Sequence, residues 1–319
     1  MTLKDSYGRP LINLRLAVTR RCNLRCQYCH GEGEEKHEGN FANEMTTGEI
    51  VRIVKIAVKM GISKVKLTGG EPLMREDITE IVKEIAAIPE VKDLSMTTNG
   101  TMLAPLAEEL RKNGLKRVNI NLPTINEETY NKLTGGKLEN VLEGVKSAVE
   151  AGLCPVKINM LILKGVNDDD VPEMIEFASG LGTTLQLIEL EPINVSEQYY
   201  LTHYKPLNDY EEMLKQKATS IEVRQYMQMR CIYHLPKLDV EVVHPIENTD
   251  FCMHCTRLRV TSDGKLKPCL MRNDNLVDIL TSIRKGADDE ELIELFKVAN
   301  MRRQPFNKTA PIDCFALKI

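Results

Sequence analysis

The stretch Cys22-Asn23-Leu24-Arg25-Cys26-Gln27-Tyr28-Cys29 follows an apolar run over 14–19 and sets three thiolates within eight residues. Soft sulfur ligands at this spacing can each bind one iron of a four-iron four-sulfur cluster and leave the fourth iron open. An open iron can take a ligand from outside the protein. A structural zinc site is the alternative reading, but zinc needs four ligands, usually as two paired sets, and only His30 offers a local fourth. A strand that ends in such a loop is how a parallel α/β sheet presents its chemistry, so the pattern on either side decides the fold.

Working outward, short β-branched runs alternate with longer segments of helical period, the pattern of βα units and a parallel sheet. Strands are predicted over 14–19, 64–68, 94–97, 117–122, 156–161 and 185–190, and helices over 47–60, 78–87, 103–113, 138–151 and 171–180. Gly61, Gly114 and Gly152 follow three of these helices as C-cap glycines do. Six units joined by right-handed crossovers make an α/β fold of the partial (β/α)6 TIM-barrel type, with functional loops at the C-terminal ends of the strands. After residue 190 the barrel strands stop and a less periodic region begins, containing Tyr199, Tyr200, His203 and Tyr204. A short helix over 210–217 and extended structure over 221–243 come next. The chain is therefore expected to divide into a barrel over residues 1–220 and a C-terminal domain over 221–319.

At 319 residues and 42% hydrophobic content, the chain is long enough to bury a large core. No run approaches the roughly 18 apolar residues of a membrane span. The opening MTLKDSYGRP has no apolar signal core, so a cytoplasmic location is expected. A formal charge of -4 supplies no electrostatic reason for nucleic-acid binding, while local basic patches would suit a small anion. Nine cysteines, six of them in two tight triads, are not a secreted disulfide framework and point to a reducing compartment. Cys154, Cys231 and Cys314 are assigned no role.

The second predicted strand runs into Thr68-Gly69-Gly70-Glu71-Pro72. Paired glycines let a backbone approach a ligand closely, and the Glu71 carboxylate can accept hydrogen bonds from an ammonium group. Thr97-Thr98-Asn99-Gly100 ends the third strand as a further polar turn. The second cysteine triad is Cys252, Cys255 and, after thirteen intervening residues, Cys269. Here too a cluster or a zinc site, completed by His254 or Cys231, can be written. Ser262-Asp263-Gly264 marks a tight turn that would carry Cys269 back toward Cys252 and Cys255. Arg257 and Arg259 share one parity of a predicted strand, and a pair of planar guanidinium groups suits bidentate binding of phosphate oxygens.

The CX3CX2C loop with Tyr28 before its last cysteine, followed by GGEP and TTNG, resembles the radical S-adenosylmethionine (SAM) enzymes. With the CX2CX13C triad and the Arg257-Leu258-Arg259 segment, the resemblance narrows to the GTP 3′,8-cyclase family of molybdenum cofactor biosynthesis and covers residues 15–279. It implies two four-iron four-sulfur clusters, held by Cys22, Cys26 and Cys29 and by Cys252, Cys255 and Cys269. The first cleaves SAM to a 5′-deoxyadenosyl radical. The second binds the guanine of GTP, whose 3′ hydrogen the radical removes before ring closure to C8. By position, Tyr28, Gly69, Gly70, Glu71, Asn121 and Glu191 are SAM contacts; Arg15, Lys66, Thr97, Lys157, Arg257, Leu258 and Arg259 are GTP contacts, with Lys157, Arg257 and Arg259 nearest the chemistry. The resemblance further implies a reductant protein and hand-off of the product to a cyclic pyranopterin monophosphate synthase. The oligomeric state is not legible, with a homodimer one arrangement.

Several positions depart from the best-known members. Lys66 and Gln186 stand at arginine positions, Pro123 replaces an acidic residue, Glu191 replaces a SAM-contacting methionine, and the chain ends CFALKI without paired terminal glycines. A paralogue acting on another nucleotide or a peptide is therefore one alternative to a cyclase, and a zinc-stabilised binding protein is another. Retention of Arg257 and Arg259 speaks for a phosphorylated ligand.

Overall fold

A computed structural model describes residues 2–34 and 44–306. The six predicted barrel strands are all present, within two residues of expectation: β1 Asn13–Ala17, β2 Lys64–Thr68, β3 Asp93–Thr98, β4 Arg117–Asn121, β5 Val156–Leu161 and β6 Thr184–Ile188. They pair in parallel in chain order. Between them run the helices Thr47–Lys59, Ile78–Ala86, Ala107–Lys112, Leu138–Glu150 and Val171–Gly180. The first helix is closed at its N-terminus by a reciprocal Thr46 and Glu49 capping box. Gly61, Gly114 and Gly152 adopt positive φ after their helices, as C-cap glycines should. An additional helix, Glu127–Thr134, lies between β4 and β5, where the sequence pattern had shown none.

The expectation that barrel strands stop after residue 190 is corrected. β9 (Leu238–Val243) pairs in parallel with β6, and β10 (Arg257–Val260) pairs in parallel with β1. Eight parallel strands thus stand side by side. The sheet continues outward on one edge through β8 (Arg230–Leu235) and β7 (Ser220–Arg224), and on the other through β11 (Lys265–Lys267) and β12 (Val277–Asp278). Residues beyond 220 are therefore stitched to both edges of the barrel sheet.

The two edges meet through the turn between β7 and β8. The Thr256 hydroxyl donates to the Tyr226 carbonyl at 3.0 Å, and the Gln228 amide donates to the His254 carbonyl at 3.3 Å. Gln228 and Met229 both hold positive φ in this turn, at 66° and 55°. Two successive non-glycine residues in that region are costly and persist only where their surroundings dictate them.

Apolar side chains of the strands, such as Leu14, Leu16, Val65, Leu67, Leu94 and Met96, are buried with the inner faces of the helices in one continuous core. The opposite faces of the same strands carry polar and charged residues, among them Arg15, Lys66, Asn119 and Lys157. Alternation along each strand is what turns these polar side chains into the barrel interior.

Candidate active site

The cysteine loop sits at the C-terminal ends of the strands, as expected. Its backbone is clamped from two sides. Arg25 and Gln27 amides donate to the carbonyls of Thr134 and Leu133 at 2.9 and 3.0 Å. On the other side the GGE turn is bonded straight to the chain that enters the loop: Gly70 amide to Thr19 carbonyl at 2.8 Å, and Glu71 amide to Arg21 carbonyl at 2.7 Å. A Cβ at Gly69 would lie 2.3 Å from the Thr19 oxygen, and one at Gly70 2.2 Å from the Arg21 oxygen. The glycines are thus required first for this backbone contact.

Glu71 is not on the cavity wall. It is wholly buried, and its oxygens accept from the Thr98 hydroxyl (2.6 Å), the Asn99 amide (2.6 Å) and the Leu73 amide (3.1 Å). Burial pushes its carboxyl up to about 7 against the pull of those donors. Its observed work is to tie the GGEP turn to the TTNG turn. The TTNG turn in turn reaches the first cysteine: Asn99 donates to the Asn23 carboxamide at 2.8 Å and approaches the Cys22 sulfur at 3.9 Å.

Cys22, Cys26, Cys29, Tyr28, Gly69, Gly70, Thr97, Asn121 and Glu191 all line one cavity of about 1440 Å³ at this end of the barrel, together with Arg15, Arg257 and Arg259. Cys252, Cys255 and Cys269 line a second, of about 630 Å³, which shares Glu191, Arg257 and Arg259 with the first. No described cysteine is in a disulfide. Among the described residues, no three His, Cys, Asp or Glu side chains gather tightly enough to hold a single metal ion. The donor set of each triad is thiol alone, which suits iron-sulfur chemistry. Burial, with the neighbouring cysteines, pushes the Cys26 thiol up to about 12, and burial pushes Cys269 to about 11. A cationic cluster would reverse both shifts by taking the thiolates as ligands. Two buried arginines hold the second triad's backbone, Arg9 on the Cys252 carbonyl and Arg303 on the Cys255 carbonyl.

Arg257 and Arg259 do face one way, into these cavities, as their shared parity predicts. Leu258 between them is wholly buried in the core, so its side chain is not available to a ligand. Lys66 and Lys157 line neither of the two cysteine cavities. They belong to a third cavity, of about 560 Å³, at the opposite end of the strands, which shares Arg15, Asn119, Gln186, Arg230 and Arg257 with the first. Lys66 donates to the Asn119 carboxamide at 2.7 Å, and burial drives its ammonium well below the usual lysine range. Lys157 is ion-paired with the buried Glu241.

Sequence reasoning missed five residues of this interior. Glu32 bridges Arg15 and Arg259. Asn119 and Asn159 join the predicted Asn121 in a side-chain chain across β4 and β5, with links of 3.3 and 3.0 Å. Arg230 and Glu241 lie on β8 and β9, in a stretch read only as extended. Strand parity would have found Asn119 and Asn159; nothing local marks Glu32. The C-terminal segment CFALKI and Cys314 lie outside the described residues.

Residues 16–178 match the Radical SAM superfamily model, and residues 183–309 match the Molybdenum Cofactor Synthesis C model. A probable GTP 3′,8-cyclase of Thermococcus kodakarensis is 50% identical over 96% of this chain and all of its own length. Probable GTP 3′,8-cyclases of Methanocaldococcus jannaschii and Pyrococcus horikoshii are 44% and 47% identical, each over at least 95% of both chains. In fold, the chain is similar to Streptococcus suis SuiB bound to S-adenosylmethionine, with a TM-score of 0.59 at 16% identity over 83% of this chain and 60% of that one. The native structure of anSMEcpe with bound AdoMet has the same TM-score and identity over 95% of this chain and 93% of its own.

Proposed function

This chain belongs to the GTP 3′,8-cyclase family of the radical SAM superfamily, and from that membership we propose how its residues divide the work. The protein is a lyase that converts GTP to 3′,8-cyclo-7,8-dihydro-GTP at the first step of molybdenum cofactor biosynthesis, using SAM and iron-sulfur clusters. One observation carries the assignment of roles: two thiol triads open onto cavities that share Arg257 and Arg259, beside a cationic floor.

Cys22, Cys26 and Cys29 hold the cluster that binds SAM, and Cys252, Cys255 and Cys269 hold the one beside the nucleotide. When bound, the first cluster with SAM supplies the 5′-deoxyadenosyl radical that removes a ribose hydrogen. The protein's own contribution is to place the reactants and exclude water. Gly69 and Gly70 hold the cysteine loop at a fixed distance from the second strand, while Tyr28, Asn121 and Glu191 line the SAM end. Thr97, Arg15, Arg257 and Arg259 flank the sugar and phosphates, and Lys66 and Lys157 set the charge of the floor. A floor this cationic selects a phosphorylated substrate over a neutral peptide. A cytoplasmic location, a protein reductant and hand-off of the product to a cyclic pyranopterin monophosphate synthase complete the reading. No helix among the described residues is long and apolar enough to cross a membrane.

The test is anaerobic reconstitution with iron and sulfide, followed by SAM, a strong reductant and GTP. Parallel, GTP-dependent appearance of 5′-deoxyadenosine and cyclised GTP is expected. Formation of 5′-deoxyadenosine that GTP does not change, with no cyclic nucleotide, would assign the chain a different substrate.

A further inference from the structure

The floor cavity is unusually one-sided in charge. Its wall carries eight Lys and Arg side chains and, among the described residues, no Asp or Glu. Three carboxylates reach these cations from behind: Glu32 at Arg15, Asp93 at Arg117, and Glu241 shared by Lys157, Arg224 and Arg230. A surplus of buried positive charge is costly unless an anion arrives to share it.

Arg230 stands out within this group. It is only 8% exposed, yet its Nε finds no hydrogen-bond partner, while Nη1 donates to Glu241 at 3.1 Å and Nη2 to the Gln228 carboxamide at 2.8 Å. Those two bonds fix the plane of the guanidinium and leave donors over. Gln228 reaches it from the turn with two successive positive-φ residues. Glu241, its anchor, is the register partner of Gln186 on β6, and Gln186 and Arg230 both line the floor cavity and the cavity above it. A neutral residue on the barrel strand thus sits beside a cation delivered from outside the six-strand unit.

We propose that Arg230, carried in by the β7–β8 hairpin and oriented by Glu241 and Gln228, is a phosphate-binding residue that sets this enzyme's preference for the nucleoside triphosphate. It supplies from the hairpin the guanidinium that Gln186 does not. Arg224, bonded to the same carboxylate at 3.3 Å, extends the grip along the polyphosphate. A guanidinium held in plane matches the paired oxygens of a phosphate, which a lysine at the same place does not. The inference rests on the cyclase reading for the identity of the base, but not for the polyphosphate.

The experiment measures binding of GTP, GMP, guanosine and inorganic tripolyphosphate to the anaerobically reconstituted enzyme without reductant. The variants are Arg230→Gln, Arg230→Lys and the double variant Arg230→Gln with Gln186→Arg. The wild type is expected to prefer GTP over guanosine by at least tenfold. Arg230→Gln should lose about tenfold or more for GTP and tripolyphosphate, a loss of the size carried by charge-assisted bonds, and little for guanosine. Arg230→Lys should recover only part, and the double variant most, of the preference. Equal losses for GTP and guanosine would make Arg230 a structural residue and overturn the proposal, as would an unchanged preference. If Arg230→Gln loses tripolyphosphate binding while the wild type yields no cyclised GTP, the phosphate reading stands and the cyclase reading falls.

Discussion

Arg15 and Arg259 are register partners across the parallel pairing of β1 with β10, and the Glu32 carboxylate lies between their guanidinium groups. Two like charges placed side by side repel, so the carboxylate is what makes the pair tolerable without a ligand. Burial alone would raise the Glu32 carboxyl, but Arg15 and Arg259 outweigh it and hold the group at about 2.

A folded pKa lowered in this way contributes stability that is present above the unfolded value of about 4.3 and is lost as pH falls toward 2. Glu32→Gln is therefore expected to cost about 3 kcal/mol at pH 7. The gap between variant and wild type should close as the solution is acidified. Chemical denaturation at a series of pH values between 7 and 3 checks both statements; a gap independent of pH would place the loss in packing.

His244 makes the opposite prediction. Burial pulls its imidazole down, but Glu189, 2.8 Å from Nδ1, and Glu211, 3.1 Å from Nε2, prevail and raise it to about 9. A raised pKa contributes stability that is complete below the unfolded value of about 6.5 and is lost as pH rises through 9. After allowance for solvent screening, the alkaline loss should be about 1.5 kcal/mol. His244→Gln should remove that alkaline limb, which denaturant midpoints at pH 6 and pH 9.5 would reveal.

Gly70→Ala should damage one cysteine loop and spare the other. Its new methyl would meet the Arg21 oxygen at 2.2 Å and the Arg20 oxygen at 2.4 Å, both backbone atoms that cannot rotate away. Overpacking of this kind costs about 1–3 kcal/mol, enough for at least a tenfold loss of SAM affinity. Iron content should fall by about half after reconstitution, since the second triad's backbone is held by different partners, Arg9 and Arg303.

Arg257→Ala should separate stability from function. Burial, with Arg230 and Arg15, pulls this guanidinium well below its ordinary range, so removing it relieves repulsion. The variant is expected to keep its full iron content and unfold no more easily than the wild type. Its GTP affinity should drop by about tenfold or more, as expected for lost charge-assisted bonds. Loss of iron would show that the arginine is structural.

The six barrel strands and their helices were legible because burial on one face imposes a period on the residues that no loop can mimic. Arg257 and Arg259 were legible for the same reason, since a strand's parity fixes which side chains share a face. What escaped was carried by pairing between distant segments. β9 and β10 look like any extended stretch until β6 and β1 accept them, and the GGE turn shows its true partner, the 19–21 backbone, only in three dimensions. Glu71 is the instructive case. A carboxylate beside two glycines looks like a ligand-binding group; Leu73 is a local donor, but Thr98 and Asn99, the donors that tie it to the next turn, lie too far along the chain to be anticipated.

The pairing of β1 with β10 also acts as a ruler. Cys22 leaves from the C-terminal side of β1, whereas Cys255 enters on the N-terminal side of β10, and the two strands run in parallel with Asn13 opposite Arg257. The two cysteine segments therefore depart from opposite ends of one hydrogen-bonded ladder, which itself spans roughly 15 Å at about 3.3 Å per residue. That span is about the length of an extended nucleotide. A slip of one residue would turn Leu258 inward and both arginines out, so the spacing can change only in steps of two residues, about 6.6 Å. Backbone register thus fixes, in discrete steps, the strand ends from which the two cysteine segments depart.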